Sequence, residues 1–103
     1  MDDAARPPAD PHPRWRRQPG ASWRDTLRGV VVLAPGGDEP VTITGSGGVV
    51  WGLLDRPRTI EELVSELSQR YPTDPATIRA DVVELLAQLA SKGALEELPP
   101  DRA

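Results

Sequence analysis

Gly45, Gly47 and Gly48 stand between an alternating segment, Val41-Thr42-Ile43-Thr44, and an apolar run that begins at Val49. Glycines at such a junction can cradle a phosphate, because backbone N–H groups come close to an anion where no Cβ intervenes. The dinucleotide pattern G-x-G-x-x-G requires a third glycine where this chain has Val50, and no lysine follows to complete a P-loop. The glycines therefore read as a tight turn out of a strand and as small residues that let a helix pack closely. Other chemistry is sparse. There is no cysteine, and the single histidine, His12, lies in a proline-rich segment, so thiolate, disulfide and multi-histidine metal chemistry lack their residues. Glu61, Glu62 and Glu66 read as a solvated helix face. No catalytic residue, metal ligand or cofactor is assigned.

What remains is a binding surface, and two elements supply it. The segment Val41, Thr42, Ile43 and Thr44 alternates apolar and polar β-branched residues without charge or proline. As an edge strand it leaves unpaired N–H and C=O groups that can accept another chain. The second element is the helix expected over residues 74–92. Advancing about 100° per residue, Ile78, Val82, Leu85 and Leu89 cluster on a core face. Arg79, Val83, Leu86, Ala87 and Ala90 widen the apolar sector well beyond what a surface helix needs, while Asp81, Glu84 and Gln88 take the opposite side. That surplus face either packs internally, as a central helix buried against the strands and the other helices, or walls a groove beside the strand. A peptide received there would add to the sheet through main-chain bonds, with side-chain pockets giving specificity.

These elements must come from a small body. The first twenty of the 103 residues hold five of the 12 prolines, which favours extended, solvated chain. Residues 1–21 are accordingly expected as a disordered Pro/Arg-rich tail, residues 22–98 as the folded domain and 99–103 as a C-terminal tail. From Ser22 the pattern has period two: "SWRDT", "LRGVVVL" and "VTIT" read as a three-stranded meander, with "APGGDEP" as a loop. The period then lengthens to about 3.6. Gly45-Ser46 can start a first short helix. Thr59 with Glu62 forms a capping box for a second. Asp74 and Pro75 start the third, and Gly93 stops it. Strands followed by helices give an α+β class, a small winged helix-turn-helix-like domain with a three-stranded antiparallel sheet followed by three helices.

Charge excludes more than it suggests. Residues 29–103 carry six basic and twelve acidic groups, a poor match for a phosphate backbone. A winged-helix transcription regulator is the competing class, yet its recognition helix, residues 74–92, would hold three acids and two bases. No run approaches the roughly 20 apolar residues of a membrane span, and no signal peptide is visible, so a cytoplasmic protein without nucleic-acid or membrane partners is expected.

In order and spacing, the chain resembles the PqqD-like family, the RiPP recognition elements that bind ribosomally made precursor peptides. The resemblance rests on "LRGVVVLAP", on Asp55-Arg56-Pro57-Arg58-Thr59 with Glu62-Leu63, on Asp74, on Ala80-Asp81-Val82 and on Lys92-Gly93. It covers about residues 23–97. It implies a winged-helix-like fold without catalytic residues or cofactor. It also implies binding of a precursor leader peptide between the third strand and the third helix, and delivery to a modifying enzyme such as a radical SAM protein, a cyclase or a leader peptidase. Carried onto this chain, the peptide-binding residues are Val41, Thr42, Ile43 and Thr44 with Arg79, Val82, Val83, Leu86, Ala87 and Ala90. Gly47-Gly48 depart from the Thr-Ala of many relatives. An open edge also permits a monomer or a weak dimer.

Overall fold

A computed structural model describes residues 12–100. The elements run β1 (Arg14–Arg17), β2 (Ser22–Thr26), β3 (Gly29–Leu33), β4 (Val41–Ile43), α1 (Gly47–Leu53), α2 (Ile60–Arg70), α3 (Pro75–Ser91) and β5 (Leu95–Leu98). β2, β3 and β4 form the expected antiparallel meander in that spatial order. Val30 lies opposite Ile43 and Val32 opposite Val41. Period two decides the rest: Val30, Val32 and Ile43 are buried, while Thr42 points to solvent. Gly29 has φ of +145°, and a Cβ there would fall 2.0 Å from the Ile43 carbonyl oxygen. No other residue fits that crossing.

Helix starts follow from local chemistry. At α2 the Thr59 hydroxyl accepts from the Glu62 N–H at 3.1 Å, and the Thr59 N–H donates to Glu62 Oε1 at 2.8 Å. Two donors that a helix terminus would otherwise leave unpaired are thereby satisfied. At α3 the Asp74 carboxylate accepts from the Ala76 N–H, Pro75 occupies the first turn, and Gly93 at φ +78° ends the helix. Ser46 precedes α1 without a side-chain cap bond. The core is assembled from Val30, Val32 and Ile43 of the sheet, Val50, Trp51 and Leu54 of α1 and its end, Leu63 and Leu67 of α2, and Ile78, Val82, Leu86 and Leu89 of α3.

The expected N-terminal tail is corrected in its second half. Residues 1–11 lie outside the described residues, but Arg14–Arg17 form β1, which pairs antiparallel with β5 in a second, two-stranded sheet. The prolines at 13 and 19 bracket a proline-free segment that keeps its donors. The Trp15 N–H donates to the Arg58 carbonyl at 2.7 Å, the Arg58 N–H returns a bond to Trp15 at 2.9 Å, and Gln18 N–H donates to Ala94. Arg16 pairs with Glu96 at 2.9 Å. The C-terminal strand β5 was not expected either; of the expected C-terminal tail, residues 101–103 lie outside the described residues.

Candidate functional site

Among the described residues β4 has one strand neighbour, β3, and its other edge is open. Where β4 ends, a cleft of about 310 Å³ lies between residues 44–47 and the flank of α3. Its floor is apolar: Val50 from α1, Leu67 from α2, and Ile78 and Val82 from α3, with half-buried Leu85 beside them. Its rim is polar and exposed, made by Thr44, Ser46, Thr73, Asp81 and Glu84, with Tyr71 at the end of α2.

Gly47 sets the spacing of the two walls. A Cβ at this position would lie 2.5 Å from Ile43 Cγ2 and 3.3 Å from Leu85 Cδ2. The helix start thus packs directly between the last residue of β4 and α3, which only a glycine permits. Close packing, as read from the sequence, is what this glycine does.

The expected site residues divide. Val41, Thr42 and Ile43 form the open strand, with the Ile43 side chain in the core, and Thr44 and Val82 line the cleft. Arg79, Val83, Leu86, Ala87 and Ala90 are not among the residues lining it. Leu86 is only 2% exposed and belongs to the core, whereas Val83 at 44% faces solvent. Arg79 forms an ion pair with Glu61 at the start of α2. The physical reason is rotational. The buried line of α3 runs through Ile78, Val82, Leu86 and Leu89, so the flank beside the cleft is the one bearing Asp81, Glu84 and Leu85. The expected wall lies on the other flank. Gly47, Ile78 and Tyr71 also line the cleft, and the doubled leucine Leu85-Leu86, one for the core and one for the cleft, is its signal in the sequence.

Among the described residues no cation lines this cleft. Both basic groups of the third-helix region are engaged elsewhere, Arg79 with Glu61 and Lys92 with Glu39 at 2.9 Å. The hydrogen bond from Lys92, together with its charge, holds the Glu39 carboxyl below its usual range. Arg70 lies 3.7 Å from Glu66. A helix whose cations are paired offers little to a phosphate backbone, where neutralised phosphates carry most of the affinity. Among the described residues no group of three or more His, Cys, Asp or Glu could hold a metal, and no helix is long and apolar enough to cross a membrane.

A family model described as coenzyme PQQ synthesis protein D (PqqD) matches residues 29–95. The PqqA binding protein of Rhodopseudomonas palustris is 32% identical over 98 residues, covering 94% of this chain and 87% of that protein. The bifunctional coenzyme PQQ synthesis protein C/D of Methylorubrum extorquens is 36% identical over 66 residues, and the match spans 64% of this chain and only 17% of that longer protein. Among solved structures, the solution NMR structure of the PqqD truncation of Methylobacterium extorquens PqqCD superposes with a TM-score of 0.68 at 32% identity, covering 81% of this chain and 88% of that one. That truncation is described as a functional, stand-alone recognition element for ribosomally synthesised and post-translationally modified peptides.

Proposed function

The chain belongs to the PqqD family, and from that membership we propose that it is a non-catalytic peptide chaperone. It binds the leader segment of a ribosomally made precursor peptide as a strand added to β4, and presents that peptide to a modifying enzyme in natural-product biosynthesis. The observation that carries the reading is the open edge of β4 beside an apolar-floored cleft. Further support comes from relatives whose names state binding of PqqA. The partner enzyme would be of the radical SAM, cyclase or leader-peptidase type, and the encounter takes place in the cytoplasm, where the precursor is made. Without peptide, the protein is a monomer or a weak dimer paired through the same edge.

Magnitudes fit a moderate binder. About four ladder bonds at ~0.5–1.5 kcal/mol net and two or three buried anchors at ~1.5–3 kcal/mol each oppose a cost of at least ~4 kcal/mol for lost freedom. The balance spans about 1–11 kcal/mol, a range that includes micromolar affinity at about 8 kcal/mol. The test uses a precursor encoded beside this gene. Fluorescence anisotropy measures binding, and hydrogen exchange reads the backbone: the alternate amides of residues 41–44 that face away from β3 should slow on binding. Binding that leaves those amides unprotected would rule out strand addition here.

A further inference from the structure

The chemistry of the rim says what kind of side chain the cleft takes. Asp81 and Glu84 are exposed, line the cleft and sit three residues apart on one flank of α3, close enough to act on a common charge. Neither makes an ion pair among the described residues, although α3 and its cap hold two basic residues and α2 a third, each beside a different carboxylate. Two like charges on one flank disfavour each other, and no described residue of the cleft lining is a cation that offsets them. Below them the floor is hydrocarbon: Ile78, Val82 and Leu85.

An apolar trough under an anionic rim matches one class of side chain closely. Lysine and arginine have aliphatic stems that lie along apolar surface while the charged head stays at the water boundary. Resting on the strand-addition reading above, we infer that the peptide segment filling this cleft carries a lysine or arginine beside its apolar anchor, and that Asp81 and Glu84 select for it. The two carboxylates are specificity residues; the β4 edge and the apolar floor supply sequence-tolerant affinity. An exposed charge pair is worth about 0.2–1 kcal/mol, so two acting on one cation give about a 2- to 30-fold preference over a neutral residue. That preference shrinks as added salt shortens the screening length.

The experiment uses the full chain and a displayed library of random 16-residue peptides. Selected peptides are synthesised with their basic residue intact or replaced by glutamine or glutamate, and binding is measured by anisotropy to the native chain and to the Asp81→Lys/Glu84→Lys double variant. Both positions are exposed, and circular dichroism checks that the variant folds. The expected result is enrichment of lysine or arginine at a fixed spacing from an apolar residue, a 2- to 30-fold loss with glutamine, and a reversed preference, glutamate over lysine, in the double variant. Peptides that protect the outward-facing amides of residues 41–44 yet show no charge preference would overturn the cation selection and leave strand addition standing. Peptides that bind without protecting those amides, or a library that yields no binder, would overturn both.

Discussion

The Arg17 guanidinium donates to the Trp51 carbonyl from both Nε and Nη2, at 3.0 and 2.7 Å, while lying 5.0 Å over the indole ring of the same residue. It also lies 4.7 Å over the ring of Trp23, which meets Trp51 edge-on. A residue of β1 therefore fastens the second sheet to α1 and to β2 at once. Partial burial pushes the Arg17 guanidinium down from its ordinary value, and the charge of Asp55 pulls it partly back. The group remains charged at any ordinary pH, so its bonds to Trp51 are charge-assisted.

Loss of this contact should be costly. Arg17→Met keeps the stem and removes the fork, and should destabilise the fold by about 1.5–3 kcal/mol. Arg16→Met removes only a part-exposed pair with Glu96 and should cost about 0.2–1 kcal/mol. Urea titration followed by circular dichroism measures both. Equal, small effects would mean that β1 contributes little to stability.

Much of this fold could be read from local sequence, and its limits are physical. Thr59 and Glu62 are three residues apart, so their reciprocal bonds depend on nothing distant. The same holds for Asp74 with Pro75, and for the alternation of Val30, Val31 and Val32. The pairing of β1 with β5 joins Arg16 to Glu96, 80 residues away, and no local period announces such a partner. A charged tetrapeptide among prolines gives no apolar stripe to detect. The cleft illustrates a second limit. A helical wheel orders Val83, Leu85 and Leu86 by angle, but only the positions of α1 and α2 decide which flank is left open. The edge position of β4 was legible because it is a property of the strand order; the flank of α3 that faces the cleft was not.

Two glycines of α1 should respond to the same substitution with opposite signs. Alanine is better than glycine in a helix by about 1 kcal/mol, and a Cβ at Gly52 would have nothing within 4 Å. Gly52→Ala should therefore stabilise by about 0.4–1 kcal/mol. At Gly47 the added carbon would meet Ile43 Cγ2 at 2.5 Å, a branch held stiffly at χ1 on its strand. Gly47→Ala should destabilise by about 1–3 kcal/mol and weaken peptide binding by displacing β4 from α3. Thermal melts of the two variants give the comparison, and a stabilised Gly47→Ala would show that the strand and helix are not in contact through this residue.

The flank of α3 used for binding can be settled with two aspartates. Leu85 is half-buried at the cleft and meets the space that Gly47 leaves open, so Leu85→Asp removes an apolar anchor surface, and the attraction its added charge offers a basic leader residue, about 0.2–1 kcal/mol, is too small to offset that loss. An anchor of this size is worth about 1.5–3 kcal/mol, which makes the expected loss of leader affinity about 10- to 150-fold. Val83 is more exposed and lies off the cleft. Val83→Asp should change neither stability, within about 0.5 kcal/mol, nor affinity. Anisotropy with the cognate leader reads binding, and a melt of each variant separates lost contact from lost fold. If Val83→Asp abolished binding in a well-folded protein and Leu85→Asp did not, the peptide would have to lie on the opposite flank of the helix, away from the edge of β4 that is open to receive it.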